Sequence, residues 1–162
     1  MSDLKNWFSS KHYKRLWSVG PPGLIVSLLL IYLTLKYEAV FNLKKYETGR
    51  AWIDVLFFLI LLEMLFILIW TLFRLPPKNR GKKLSTKGIY SFVRHPIYTV
   101  IIFHINLLAS LWAGSYLLLF LVPLQYLLWS KMVIKEEEYL IGIFGQEYID
   151  YMSNVSRFIP WK

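Results

Sequence analysis

The sequence predicts an all-α integral membrane protein: a helical bundle of about four transmembrane helices with an interfacial C-terminal helix. Apolar residues make up 56% of the 162-residue chain and aromatic residues 18%, which is far from the composition of soluble proteins. Four apolar runs are long enough, or nearly so, to cross a bilayer. The last 28 or so residues are too charged to span. All 162 residues are therefore expected to form a single membrane domain.

The four predicted spans lie at about residues 17–37, 51–73, 97–111 and 115–134. Pro21 and Pro22 fall near the start of the first span, where proline is tolerated. The third and fourth spans form a hairpin that turns at Trp112-Ala113-Gly114-Ser115. Beyond the fourth span, apolar residues recur at helical spacing, which predicts a helix lying along the membrane interface: Leu140, Phe144, Tyr148, Tyr151 and Val155.

Composition and charge narrow the possible functions. The chain has no cysteine, which excludes disulfides, thiolate catalysis and Cys-ligated zinc. The net charge is +9, but the cations flank apolar runs, where they set topology and attract anionic lipids. No patterned basic helix or aromatic strand motif indicates nucleic-acid binding. We expect membrane lipids as partners, no nucleic acid and no metal site. No cleavable signal peptide is expected, since no small-residue cleavage site follows the first apolar run.

The distribution of Lys and Arg predicts that both termini lie in the cytoplasm. The polar loop between the second and third spans has no acid and carries seven cations: Arg74, Lys78, Arg80, Lys82, Lys83, Lys87 and Arg94. The hairpin tip has none, and the first loop has four. A cytoplasmic basic loop places both termini on the same side.

A first candidate segment is Arg94-His95-Pro96-Ile97-Tyr98, which ends the basic loop. Arg94 can form a bidentate pair with a carboxylate, and His95 can bind a cofactor or carry a proton near neutral pH. Pro96 favours a helix start, and Tyr98 lies about one turn further on. The alternative interpretation is topological, because each of these residues alone is ordinary at a membrane boundary.

A second candidate segment, about forty residues later, begins at Glu136-Glu137-Glu138, where the fourth span ends. A carboxylate can accept hydrogen bonds from ribose hydroxyls or from an ammonium group. Three consecutive side chains on a helix point in different directions, so at most two can serve one site. The alternative is a solvated acidic face that balances the basic loop.

In order and spacing, these segments resemble the signature of the isoprenylcysteine carboxyl methyltransferase and phospholipid methyltransferase family. The resemblance covers about residues 84–160 and rests on the following features: Lys87-Gly88-Ile89-Tyr90, the segment from Arg94 to Tyr98, Glu136-Glu137, Phe144-Gly145, Tyr148, Tyr151 and Arg157-Phe158-Ile159-Pro160. Val100 stands where family members usually have glycine, and Lys131 and Lys135 stand near the position of a family arginine.

The resemblance implies a membrane enzyme that uses S-adenosylmethionine, and the distribution of Lys and Arg predicts that its active site is cytoplasmic. The residues implied for cofactor binding are Tyr90, Arg94, His95, Pro96, Tyr98, Glu136, Glu137 and Tyr148. His95, Glu137 and Glu63 are the candidate catalytic residues. Glu63 is included because an acid in the middle of a span is a functional hypothesis by default. It could instead pair with His104 or Asn106.

The predicted function is transfer of a methyl group to a lipophilic acceptor that enters from the bilayer. The acceptor could be an isoprenylcysteine-like carboxylate, a lipid amine or a small apolar thiol or amine. A carboxylate is already ionised at pH 7, whereas an amine would need a base such as His95 or a glutamate. A non-catalytic membrane assembly or lipid-binding protein is the main alternative. An NADPH-dependent lipid reductase is disfavoured by the small size of the chain.

Overall fold

The computed structural model of the protein describes residues 19–43, 45–76 and 79–161. The predicted start of the first span, at about residue 17, and Lys78 of the basic loop lie outside these residues. Five helices are found within them: α1 (Gly20–Val40), α2 (Ala51–Arg74), α3 (Pro96–Ala113), α4 (Tyr116–Phe144) and α5 (Gln146–Asn154). The described residues contain no strand, and one parallel bridge joins Val93 to Ser156.

Helices α1 to α4 are each long and apolar enough to cross a membrane, which confirms the predicted all-α membrane bundle. Large apolar side chains cover the outer surface of α2, where Phe58 is 61% exposed and Phe73 81% exposed. Such a surface suits lipid rather than water. The predicted spans at 51–73 and 97–111 agree with α2 and α3 to within two residues at each end.

The fourth span is predicted to end at residue 134, and the helix that contains it extends further. Helix α4 continues to Phe144, with its two parts, Tyr116–Met132 and Ile134–Phe144, joined at Val133. The charged run after residue 134 does not end the helix, because Glu137 is buried and paired rather than solvated.

The tail does not form the single helix predicted from the apolar spacing between Leu140 and Val155. The chain breaks at Gly145, whose φ of 57° and ψ of −131° are readily available only to glycine. Helix α5 follows and buries Tyr148 and Tyr151. The apolar residues on both sides of the break still share one cluster, because the end of α4 and α5 both pack their apolar faces inward.

The hairpin between α3 and α4 turns where the sequence predicts it. Gly114 adopts the left-handed conformation that ends α3, with φ of 66°. Ser115 caps α4 by accepting a hydrogen bond from the Leu118 N–H at 3.2 Å. Its hydroxyl also donates to Glu38 at 2.6 Å, which ties the end of α1 to the hairpin.

Inside the bundle, polar side chains join α3 and α4. Residues Val100–Ile105 of α3 form a π-helical segment, and the Asn106 amide donates to the Ile102 carbonyl at 2.8 Å. The Gln125 amide in turn donates to the Asn106 side-chain oxygen at 3.2 Å. These bonds supply polar partners at membrane depth, where water is absent. They join the middle of α3, at Asn106, to α4 at Gln125.

Candidate active site

Both signature segments face one cavity of about 680 Å³ at the ends of the helices. It is bounded by the starts of α1 and α3, the ends of α2 and α4, the basic loop and α5. Seven of the predicted site residues line it: Tyr90, Arg94, His95, Pro96, Tyr98, Glu136 and Tyr148. Glu137 and Glu63 are not among its lining residues.

Charged and apolar side chains both line the cavity. Arg80 and Lys83 of the basic loop contribute charge, together with Glu136. Apolar lining comes from three helices: Leu24 of α1, Leu72 of α2, and Ile97 and Ile101 of α3. A polar ligand and a lipophilic one can therefore meet in the same space.

Glu137 lies behind the cavity wall and is the counterion of two arginines. Its carboxylate accepts hydrogen bonds from Arg94 Nη2 at 2.7 Å and from Arg157 Nη2 at 2.6 Å. Arg157 Nε also donates to it, at 3.0 Å, and this interaction raises the pKa of the Arg157 guanidinium. The Glu137 side chain is 3% exposed, so its charge is compensated by the protein rather than by water.

Arg94 links the beginning of α3 to the tail. Its Nη1 donates to the backbone carbonyls of Met152 at 2.7 Å and Val155 at 2.9 Å. Its Nε is buried with no hydrogen-bond partner among the described residues. Because Arg94 also lines the cavity, this N–H is a donor that a bound ligand could use.

The segment after α5, residues 155–161, lies beside the first signature segment and is called the strap below. The backbone N–H of Arg94 donates to the Ser156 carbonyl at 2.9 Å, and that of His95 to the Arg157 carbonyl at 3.1 Å. The Thr99 hydroxyl donates to the Phe158 carbonyl at 3.1 Å. These bonds satisfy backbone groups that would otherwise be orphaned at the helix start.

His95 is held from both sides. It is buried, and its Nε2 lies 3.3 Å from Glu137 Oε1. Its ring stacks on Tyr98, with centroids 5.3 Å apart and planes inclined by 11°. The centroid of the Phe158 ring lies 5.9 Å from that of His95. The imidazole is therefore fixed at the cavity wall.

The three consecutive glutamates have three different environments. The Tyr98 hydroxyl donates to Glu136 Oε2 at 2.7 Å, and both residues line the cavity. Glu137 is buried behind it, and Glu138 is exposed to solvent. Glu136 is thus the carboxylate best placed to contact a ligand.

Three tyrosines near the cavity stay protonated at neutral pH. Burial raises the pKa of Tyr90 to about 12, and it raises the pKa values of Tyr148 and Tyr151 further. The Tyr151 hydroxyl donates to the Tyr90 carbonyl at 2.6 Å. Tyr90 and Tyr148 therefore offer neutral phenol groups to the cavity.

Glu63 is separate from this site. It is 64% exposed on α2, and its Oε2 lies 3.8 Å from His104 Nε2 on α3. This agrees with the pairing with His104 considered above, and Asn106 bonds elsewhere. Within residues 19–43, 45–76 and 79–161, no group of three or more His, Asp or Glu side chains could hold a metal ion.

Sequence reasoning missed the role of Arg157. It lies in the Arg157–Pro160 segment that carries part of the family resemblance, and this was the available signal. Its partner Glu137 is twenty residues away, and no spacing rule connects an interfacial tail to the end of a span. Tyr139 and Tyr151, which also line the cavity, were likewise not among the predicted site residues.

Fold and cavity together define an integral membrane protein with an internal site at the ends of its helices. The model of the isoprenylcysteine carboxyl methyltransferase (ICMT) family matches residues 55–142, more than half of the chain. The chain belongs to this family.

Individual relatives match at modest identity. The chain is 32% identical over 84 residues to "Methanethiol S-methyltransferase 1" of Bradyrhizobium diazoefficiens, covering 49% of this chain and 27% of the relative. It is 36% identical over 86 residues to "Protein-S-isoprenylcysteine O-methyltransferase" of Schizosaccharomyces pombe, covering 51% and 35%. The Saccharomyces cerevisiae protein of the same name is 37% identical over 92 residues, covering 52% and 35%. The matched region thus spans about a third of the length of these relatives. No solved structure matches the chain.

Proposed function

We propose that the protein is a membrane-embedded methyltransferase that uses S-adenosylmethionine and methylates a lipophilic acceptor. The observation that carries this proposal is the common cavity, which joins the two signature segments and is lined by both charged and apolar side chains. Membership of the family supports the reaction class. The names of the relatives support an acceptor that is a prenylated cysteine or a small thiol.

The residues of the cavity fit the cofactor. The unpartnered Nε–H of Arg94 suits the carboxylate of the methionine moiety. Glu136 and the phenols of Tyr90 and Tyr148 suit ribose hydroxyls or the ammonium group. Pro96 and the stacked rings of His95 and Tyr98 form a rigid part of the cavity wall. Glu137 contributes indirectly in this proposal, by holding Arg94 and His95 in place.

When bound, S-adenosylmethionine supplies an already activated methyl group on its sulfonium. The protein then needs to orient the acceptor and exclude water. Leu24, Leu72 and Ile97 provide an apolar approach from the ends of α1, α2 and α3. His95 and Glu136 are the two cavity side chains that could take a proton from an amine or thiol. We place the site and both termini in the cytoplasm, where the cofactor is available.

The test is methyl transfer by the protein purified in detergent. Methyl-labelled cofactor is supplied with prenylcysteine analogues, extracted lipids and short apolar thiols in separate reactions. We expect label in at least one acceptor class. Tyr98→Phe, which removes the hydrogen bond to Glu136, should slow transfer about tenfold. Tyr37→Phe, a matched change at an exposed tyrosine of α1, should not. Absence of transfer to all three classes would overturn the proposal.

A further inference from the structure

Trp129 belongs to a buried apolar cluster next to the candidate site, together with Ile101, Ile102 and Val133. It is completely buried and is the largest fully buried side chain among the described residues. It lies on α4 about two helical turns before Glu136. Trp129 is not one of the signature residues named above. Its partners on α1 lie outside the region matched by the family model.

Helix α1 holds the indole ring of Trp129 from one side. The indole N–H donates to the Ser27 hydroxyl at 2.9 Å, and both groups are fully buried. Gly23, one turn earlier, lies against the six-membered ring: a Cβ added there would come within 2.5–2.9 Å of three ring carbons. A side chain at Gly23 would therefore displace the indole, because neither the backbone of α1 nor a rigid aromatic ring yields easily.

The ring of Trp129 also contacts the cavity wall. Its centroid lies 4.6 Å from that of Tyr98. Tyr98 in turn stacks on His95 and donates to Glu136. A continuous series of contacts therefore runs from Ser27 and Gly23 through Trp129 to the residues that line the cavity. The plane of Tyr98 is fixed between two aromatic rings, which lowers the entropy cost of aligning its hydroxyl with Glu136.

We propose that Trp129 is a positioning residue, held by Ser27 and Gly23, that fixes Tyr98 and thereby the Glu136 side of the cofactor site. This inference rests on the proposed function for its consequence on binding, but the fixed position of Tyr98 is independent of any ligand. Under this proposal, residues of α1 help to position the side chains of the cofactor site.

Two measurements test the inference, with Trp112→Phe at a 74% exposed tryptophan as the matched control. The first uses protein with 3-fluorotyrosine at position 98 and records its fluorine spectrum without cofactor. We expect one sharp resonance in the parent protein and in Trp112→Phe. Trp129→Phe and Ser27→Ala should give a shifted or broadened signal. An unchanged signal in both variants would overturn the inference, whatever the protein binds.

The second measurement is a double-mutant cycle on S-adenosylmethionine affinity. Trp129→Phe should weaken binding about tenfold and Trp112→Phe less than twofold. Because Trp129 acts through Tyr98, adding Trp129→Phe to Tyr98→Phe should cause little further loss. Losses that simply multiply would mean that Trp129 is only a packing residue. If the parent protein binds no cofactor, the proposed function fails, and the fluorine spectrum still decides the inference.

Discussion

At the residue scale, charge compensation decides what each acid and base of the site can do. Glu137 carries the only negative charge that contacts Arg94 and Arg157 among the described ion pairs, so it is committed to holding the tail. Among the described residues, the Glu136 carboxylate bonds only the neutral phenol of Tyr98, which leaves its charge available for a ligand. Two adjacent carboxylates thus differ in environment because they lie on different sides of one helix.

Substituting the three glutamates in turn should separate these roles. Glu136→Gln should weaken S-adenosylmethionine binding by about 1–2 kcal/mol, the scale of a charge-assisted hydrogen bond, with little change in thermal stability. Glu137→Gln should destabilise the protein by roughly 3 kcal/mol, because it leaves two arginines without their counterion. Glu138→Gln should be silent. Calorimetry and thermal unfolding in one detergent measure both effects, and three identical outcomes would show a solvated acidic face.

Arg94→Ala should both destabilise the tail and weaken binding. It removes one partner of a buried ion pair and the donors to two carbonyls, a loss of about 3 kcal/mol in stability. Lys82→Ala is the control, since Lys82 is exposed in the same basic loop and should change binding by less than about 0.5 kcal/mol. Equal effects of the two substitutions on binding would mean that the loop acts only through its electric field.

At the element scale, the strap after α5 closes the site. It supplies the Ser156 and Arg157 carbonyls to the first signature segment and the Arg157 side chain to Glu137. Helix α5 adds Tyr148 and Tyr151 to the cavity wall. The site is therefore built from two signature segments and a third segment that fastens them together.

Ending the chain after Asn154 should abolish S-adenosylmethionine binding while leaving membrane insertion intact. Insertion depends on the apolar runs and their flanking charges, which remain, whereas the partners of Arg94, His95 and Glu137 are lost. Ending the chain after Pro160 is the control, because Trp161 is 64% exposed. Carbonate extraction and calorimetry report the two properties. Normal binding by the shorter chain would show that the strap is only an anchor.

The membrane helices and the hairpin turn could be predicted from the sequence, because the length of an apolar run and the glycine at position 114 are local signals. The continuation of α4 to Phe144 could not be read from hydropathy, because hydropathy registers the charges of Lys135 to Glu138 but not their partners. The cavity residues Arg94, Tyr98 and Glu136 could be predicted because their motifs resemble the family signature. The contact between Arg157 and Glu137 could not, because it depends on how the tail folds back.

At the scale of the whole molecule, charge distribution and site location agree on an orientation. Seven Lys and Arg residues lie between residues 74 and 94, against four between residues 36 and 50, and Arg80, Lys83 and Arg94 of the first group line the cavity. A positive excess favours the cytoplasmic side. The cavity would then open where a water-soluble cofactor is present.

Single cysteines test this orientation cleanly, because the chain has none of its own. In intact cells, an impermeant maleimide should label Glu47→Cys in the loop between α1 and α2. It should label Lys82→Cys only after permeabilisation, since this loop is expected in the cytoplasm. Both positions are exposed. The opposite labelling pattern would reverse the topology and remove the argument for cofactor access.

The most direct test of the account is calorimetric titration of the detergent-solubilised protein with S-adenosylmethionine and, separately, with NADPH. We predict saturable binding of S-adenosylmethionine at one site per chain, competition by S-adenosylhomocysteine, and no binding of NADPH. Affinity should fall about tenfold in Glu136→Gln and stay unchanged in Glu138→Gln. Binding of NADPH alone would favour a reductase. Binding of neither compound would contradict the cofactor site and indicate a non-catalytic membrane protein.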